Sequence, residues 1–107
     1  MGATKSCEFS VKDNKIAKIA KALAHPARIA ILNLLAKRQA CVCGDIVDEL
    51  PLSQSTVSQH LKELKNANII KGTIEGTAIC YCINPDTIDK IENHFGMIRH
   101  KLKNKCY

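Results

Sequence analysis

The sequence predicts a mainly α-helical domain with one small β-hairpin. Apolar residues recur three and four positions apart over most of the chain, and between residues 70 and 83 this spacing changes to two. A length of 107 residues suits a single domain with a modest core. We expect a flexible leader over residues 1–13, the folded domain over 14–103 and a short tail over 104–107.

The first two predicted helices meet at a proline. Residues 14–23 carry apolar side chains at helical spacing, and Pro26 then ends this helix and begins another. Proline suits the first position of a helix, because the N–H that it lacks would have no helical partner there. Residues 27–36 are apolar on most of their circumference, so we expect the second helix to form the buried centre of the domain.

Two further helical segments follow, separated by a short connection. Residues 44–50 place apolar side chains on one face, and Pro51 ends this segment. Ser53 can then cap the next helix by accepting a hydrogen bond from a backbone N–H two or three residues on. This spacing is typical of a helix-turn-helix.

The helix after this cap has the side chains of a DNA-recognition helix. Val57, Leu61 and Leu64 form a narrow apolar stripe, which leaves hydroxyl, amide and imidazole groups on the other faces. Such groups bond to base edges and phosphates, and within this helix no carboxylate precedes Glu63. Including the hairpin, the predicted DNA-binding residues are Ser53, Gln54, Ser55, Thr56, Ser58, Gln59, His60, Lys62, Lys71 and Thr77.

The alternating segment predicts a hairpin, and a long helix follows it. Residues 70–74 alternate apolar and polar side chains, Glu75 and Gly76 make a tight turn, and residues 78–83 return. Asn84 and the proline after it mark the start of the last helix. The apolar residues of this helix recur three and four positions apart and form one long stripe, which favours a contact surface for a partner. The members of the stripe are Ile88, Ile91, Phe95, Ile98 and Leu102.

Composition narrows the class of partner. Sixteen Lys and Arg against ten Asp and Glu give a net charge of +6, which favours a polyanion. Only 4% of residues are aromatic, too few for a surface that stacks single-stranded bases, so duplex DNA fits better. We expect a cytoplasmic protein with no membrane partner, because there is no secretory signal and no apolar stretch long enough to cross a bilayer. No catalytic grouping or phosphate-binding loop indicates an enzyme.

The order of elements and three motifs resemble the ArsR/SmtB family of winged-helix repressors. The motifs are ALAHPARIAIL at residues 22–32, CVCGDI at 41–46 and SQSTVSQHLKEL at 53–64, and the resemblance covers roughly residues 14–100. It implies a homodimer joined through the first and last helices, a recognition helix in the major groove, and an inducer that releases the operator. A two-fold dimer predicts an operator that is an imperfect inverted repeat.

Cys41 and Cys43 match the family position for thiolates that bind arsenite, antimonite, cadmium or lead. Soft thiolates suit such ions. Helical side chains two residues apart diverge by about 200°, so both sulfurs reach one ion only if the segment is extended or distorted. The resemblance therefore implies As(III), Sb(III) or a soft divalent metal as inducer, with no cofactor required for DNA binding.

The ligand set leaves alternatives open. Family members with three ligands here carry another cysteine where this chain has Ile46, so Cys7 in the leader, or else Cys106 in the tail, would supply the third thiolate. A redox or persulfide sensor of the same fold is the alternative function, with Cys41 or Cys43 bridging to one of these two cysteines.

Two other groups of possible ligands carry weaker predictions. Cys80 and Cys82 share one face of the second hairpin strand and are expected to pack against the hydrophobic body. The zinc ligands of some relatives are incomplete in the last helix, where only Glu92, His94 and His100 are available.

Overall fold

The computed structural model describes residues 8–38, 42–43, 49–76 and 78–102. The elements in this part of the chain are α1 (Val11–Leu23), α2 (Pro26–Arg38), β1 (Val42–Cys43), α3 (Gln54–Asn66), β2 (Ile70–Glu75), β3 (Ala78–Ile83) and α4 (Pro85–Leu102). The predicted mainly α fold with a β-hairpin is confirmed. The helix expected over residues 44–50 lies, except for its last two residues, outside the described part.

The helices begin at side-chain caps and prolines. Ser10 Oγ accepts a hydrogen bond from the Asp13 backbone N–H at 3.0 Å, and α1 therefore begins at Val11, earlier than the sequence predicted. Asn84 Oδ1 accepts from the Asp86 N–H at 3.1 Å, which confirms the predicted cap of α4. Both α2 and α4 begin at a proline, as predicted.

The hairpin forms in the expected register. Ile70 pairs with Ile83 and Glu75 with Ala78, which leaves a two-residue connection between the strands. Gly76 in this connection has a φ of +63°, a left-handed conformation that favours glycine. We call β2, β3 and their connection the wing.

A third strand, which the sequence did not predict, pairs with the wing. β1 lies antiparallel to β3, and the sheet order is β1-β3-β2. In this register the Cα partners are Val42 with Tyr81 and Cys43 with Cys80. The segment of the CVC motif that the structure describes is therefore extended backbone attached to the wing.

The core lies between the first three helices and the inner face of the wing. α1 contributes the buried residues Ile19 and Ala22. The fully buried members come from α2, α3, β2 and the α3–β2 connection: Ile31, Val57, Leu64, Ile69 and Ile70. Ile31 and Leu35 confirm α2 as a central helix, although Ile29 is exposed. Burial of such side chains contributes about 1.5–3 kcal/mol each, which makes this the principal stabilising region.

The two faces of the wing have different surroundings. Tyr81 and Ile83 of β3 pack against the core, which defines the inner face of the wing. Cys80 and Cys82 alternate with them along the strand and lie on the opposite, outer face. Cys80 is nevertheless completely buried, outside the core cluster. Both Cys80 and Cys82 are disulfide-bonded. Cys80 is thus buried, as expected from the sequence, and Cys82 is half-buried.

Hydrogen bonds tie the end of α3 to the start of α4. The Asn68 carbonyl accepts from Asn84 Nδ2 at 3.1 Å and from the Thr87 hydroxyl. The Asn84 N–H donates to the Ile69 carbonyl at 2.9 Å. Asn68 itself has a φ of +59°, which turns the chain sharply from α3 into the wing.

Among the described residues, no single helix has the length and apolar character needed to cross a bilayer. α1 and α2 would satisfy those requirements only as a pair, and they are bent by 93° to each other.

Candidate nucleic-acid interface

The first turn of α3 is closed by its serine cap. Ser53 Oγ accepts from the Thr56 N–H at 3.3 Å and donates to Thr56 Oγ1 at 2.9 Å. Its Oγ also lies 3.3 Å from Ser55 Oγ. The helix start predicted from Ser53 is confirmed, and its leading hydroxyl groups form one connected cluster.

α3 buries one side and exposes the other. Its buried residues are Val57, His60, Leu61 and Leu64. The opposite side carries a stripe of exposed side chains three or four positions apart, which we call the polar stripe: Ser55, Ser58, Gln59, Lys62 and Asn66. Gln54 and Thr56 are also exposed, next to this stripe. Gln59 Nε2 in the stripe donates to Oε1 of Glu63, which lies beside the stripe, at 3.3 Å.

The expectation that His60 lies among the exposed side chains is wrong. Only 8% of His60 is exposed, and Arg28 Nε donates to its Nδ1 at 3.1 Å. The ring centroids of His60 and His25 are 4.4 Å apart. Burial, followed by the nearby charges of His25 and Arg28, lowers the pKa of His60 below its ordinary value. A neutral imidazole here helps to hold α3 on the body of the domain.

Arg28 joins three helices at this point. Besides its bond to His60 of α3, its Nη1 donates to the Ala22 carbonyl near the end of α1, at 3.0 Å. Sequence reasoning missed this role, because Arg28 and His60 are 32 positions apart and neither belongs to an apolar pattern. The available signal was a single arginine in an otherwise apolar helix, because an arginine side chain is usually buried only when it has a polar partner.

The shifted pKa of His60 predicts a loss of stability in acid. Because the folded-state pKa is lowered, the unfolded chain takes up a proton first as the pH falls through about 6.5, and the free energy of unfolding decreases. Urea unfolding at a series of pH values should show this decrease. His60→Asn retains an acceptor for Arg28 but cannot titrate, so its decrease should be smaller, whereas His100→Asn on exposed α4 should match the wild type. An equal decrease in all three proteins would contradict the assignment.

The wing lies beside α3 and presents its own basic side chains. Lys71 and Thr73 are exposed on the outer face of β2. Lys65 of α3 reaches across the wing at Gly72, where a Cβ would lie 3.4 Å from Lys65 Nζ. α3 therefore lies against the wing at Gly72, while Lys71 and Thr73 lie on the opposite face of β2. Thr77 lies outside the described residues.

The predicted thiolate ligands are only partly placed. Cys7, Cys41 and Cys106 lie outside the described residues, and Cys43 is described by its backbone in β1. That backbone is extended. The hypothesis that Cys41 and Cys43 bind one ion requires a segment that is either extended or distorted, and an extended backbone meets this requirement. In the part of the chain that the structure describes, no three His, Cys, Asp or Glu side chains are grouped to hold a metal, and this includes Glu92, His94 and His100.

Comparisons with known proteins agree with this geometry. The family model described as "Bacterial regulatory protein, arsR family" matches residues 25–71, which span α2, α3 and the start of the wing. An uncharacterized HTH-type transcriptional regulator of Methanocaldococcus jannaschii is 46% identical over 81 residues, covering 75% of this chain and 90% of that protein. The chain belongs to the ArsR family.

Other ArsR-family proteins extend the comparison. The arsenical resistance operon repressor of Staphylococcus xylosus is 30% identical over 84 residues, covering 78% of this chain and 80% of that protein. A homodimeric winged helix-turn-helix DNA-binding domain of Mycobacterium bovis has a TM-score of 0.67 at 24% identity, covering 100% of this chain and 95% of that one. The protein is thus a winged helix-turn-helix transcriptional regulator that binds DNA, not an enzyme.

Proposed function

We propose that this ArsR-family protein is a homodimeric repressor that binds an inverted-repeat operator through α3 and the wing. The observation that carries the proposal is the polar stripe. Its uncharged donors and acceptors lie opposite Val57, Leu61 and Leu64, which anchor the helix in the core. A helix held in this way can enter the major groove with its polar side toward the bases.

The exposed side chains divide into two roles. The hydroxyl and amide groups of α3 read base edges, and the exposed lysines bind phosphates. The proposed readers are Ser53, Gln54, Ser55, Thr56, Ser58 and Gln59, and the proposed backbone contacts are Lys62, Lys71 and Thr77. We omit His60 from the contacts, because it is buried against Arg28.

The dimer surface is formed by α1 and α4. Thr87 is the one buried residue described in α4, and Ile91 is half-buried against the core. The other apolar side chains of this helix are exposed: Ile88, Phe95, Met97, Ile98 and Leu102. Phe95 is 55% exposed and Val11, at the start of α1, is 71% exposed. Apolar surface of this extent on a small domain favours a second copy of the chain, and the homodimeric M. bovis domain shares the fold.

The inducer is a thiophilic ion bound by cysteine thiolates. Cys41 and Cys43 are two of the ligands, and the family pattern leaves Cys7 or Cys106 as the third. Arsenous acid would form each As–S bond by losing one hydroxyl group, which leaves as water with the proton of the thiol. The extended backbone at Cys43 and the similarity to a repressor of an arsenical resistance operon support this proposal. Antimonite, cadmium and lead have the same preference for sulfur.

A redox-sensing repressor is the second candidate. The observation that favours it is that Cys80 and Cys82 are disulfide-bonded. A repressor of this kind would change its DNA affinity when cysteine pairs are oxidised or persulfidated, with no metal involved.

Fluorescence anisotropy on the operator and on a scrambled duplex tests the proposed roles. Replacing Gln59 with alanine should weaken operator binding by about 1–3 kcal/mol and leave the scrambled duplex nearly unchanged. Replacing Lys62 should weaken both duplexes and reduce the slope of log K against log salt by about one unit. Lys37→Ala, an exposed lysine near the end of α2, is the matched control. Equal effects of the Gln59 and Lys62 variants on both duplexes would contradict the proposal.

A further inference from the structure

A cavity of about 460 Å³ lies where the last turns of α1 and α3 meet the start of α2. Its volume is within the range of small-molecule sites, which is about 300–1,000 Å³. The cavity is separate from the proposed DNA-reading side chains, because those lie on the first two turns of α3 and the preceding cap. The polar and charged residues that line it are Lys18, Lys21, His25, Arg28, Glu63 and Asn66.

The lining has an excess of positive charge. Lys18, Lys21 and Arg28 carry three positive charges against the one carboxylate of Glu63, which leaves a net charge of +2 when His25 is neutral. Within the part of the chain that the structure describes, none of these three cations forms an ion pair with a carboxylate. A concave surface with unpaired charges of one sign concentrates ligands of the opposite sign, so the cavity attracts anions.

A second cavity of about 220 Å³ adjoins the first one at Lys18 and Ala67. Its lining adds Lys15 of α1 and Lys90 of α4. Both of these lysines are exposed. The positive potential therefore extends beyond the first cavity and strengthens the attraction of an anion toward it.

Arg28 and His25 have donors left for a ligand. The hydrogen bonds of Arg28 to the described residues use Nε, which donates to His60, and Nη1, which donates to the Ala22 carbonyl. A guanidinium has five N–H donors, so Nη2 can still donate to an anion. The Ala27 N–H donates to His25 Nδ1 at 3.0 Å, which places the proton of the neutral ring on Nε2.

The α3 side of the cavity suits hydroxyl groups. Glu63 accepts from Gln59 at Oε1, and a carboxylate has lone pairs for further donors. The exposed Asn66 amide can both donate and accept. Because a carboxylate repels an anion but accepts from a hydroxyl group, the lining favours a ligand that carries its anionic group and its hydroxyl groups on different parts.

We propose that this cavity binds a small phosphate ester that carries hydroxyl groups, such as a sugar phosphate. The phosphate contacts Lys18, Lys21 and Arg28, and the hydroxyl groups bond to Glu63 and Asn66. A phosphate monoester has a charge of about −1.5 to −2 at pH 7, which matches the net charge of the lining.

The ligand would contact α1, α2 and α3 together and so favour one position of α3 relative to the other two helices. Arg28 provides a direct connection, since it also donates to His60 of α3. A ligand that prefers one position of α3 changes the DNA affinity by the same free energy. This effect on DNA rests on the proposed function, whereas binding of the ligand does not.

Calorimetric titration of the full-length protein with glucose 6-phosphate, at constant ionic strength and without DNA, tests the site. Lys18→Ala and Lys21→Ala should each weaken binding by about 10- to 100-fold, because each removes a charge-assisted hydrogen bond. Both lysines are exposed, and urea unfolding midpoints verify that the variants fold. Lys37→Ala is the matched control, since Lys37 is an exposed lysine of α2 outside this lining, and it should bind as the wild type does.

Smaller probes separate the two halves of the proposed ligand. Asn66→Ala should weaken binding of glucose 6-phosphate by about 2- to 10-fold and leave binding of inorganic phosphate unchanged. Glucose alone should not bind. Equal affinities for glucose 6-phosphate and for sulfate would mean attraction by surface charge only and would overturn the proposal.

Wild-type binding of glucose 6-phosphate by both lysine variants would also overturn it. So would a loss of affinity for operator and scrambled duplexes in Lys18→Ala and Lys21→Ala with no effect on glucose 6-phosphate, because these lysines would then contact DNA. The proposed function fails separately: a protein that binds glucose 6-phosphate through these lysines but does not bind the operator supports the site and contradicts the repressor.

Discussion

Replacing Phe95 with aspartate should give a monomer that binds the operator about 100- to 10,000-fold more weakly, the usual gain from linking two binding modules. Phe95 lies in the exposed apolar stripe of α4, which we propose as the dimer surface. A carboxylate there would be buried without a partner in the dimer but hydrated in the monomer, so the charge opposes association. Sedimentation and operator titration measure the two effects.

Asn33→Asp is the control for this change. It introduces the same charge at an exposed position of α2, outside the two helices of the proposed dimer surface. This variant should remain dimeric and keep its affinity for the operator. A Phe95→Asp protein that sediments as a dimer, or a monomer with full affinity for the inverted repeat, would contradict the proposed assembly.

Arsenite should weaken operator binding by the wild-type protein by about 5- to 150-fold, the range of typical coupling free energies between two sites. The physical reason is that an ion bound at Cys41 and Cys43 would restrain the chain segment that precedes α3 and so favour a conformation that fits the groove poorly. Operator titrations with and without arsenite, under reducing conditions, measure the ratio of affinities.

Cys43→Ser should remove this response and keep the affinity for DNA, since the residue lies in β1, outside α3 and the wing. Mass spectrometry separates the redox alternative, because a disulfide or persulfide changes the covalent mass and an exchangeable ion does not. An unchanged affinity in arsenite, combined with a change after persulfide treatment, would favour the redox sensor.

Local features of the sequence predicted the boundaries of most elements. Ser53, Pro26 and Asn84 act on the two or three residues that follow each of them, so their effect can be read without knowledge of the fold. The wing follows from the alternation over residues 70–74 and from Gly76, whose positive φ fits the tight connection. The start of α1 was missed, because Ser10 also had to be recognised as a cap.

Contacts between distant residues were not predictable in the same way. The burial of His60 depends on Arg28 of another helix, and a histidine in a polar segment gives no sign of such a partner. β1 has only two residues, too few to show a period, so its pairing with β3 was missed. The available signal was that Cys41 and Cys43, like Cys80 and Cys82, have the two-residue spacing of a strand.

The hydrogen bonds at Asn68 have a consequence for the length of the operator. They join the end of α3 directly to the first turn of α4, so the helix proposed to read DNA and the helix proposed to pair the subunits keep a nearly constant angle. In a two-fold dimer that angle sets the distance between the two copies of α3. A dimer with this fixed distance between its two copies of α3 would bind half-sites about one helical turn of DNA apart, and would bind half-sites at any other spacing poorly.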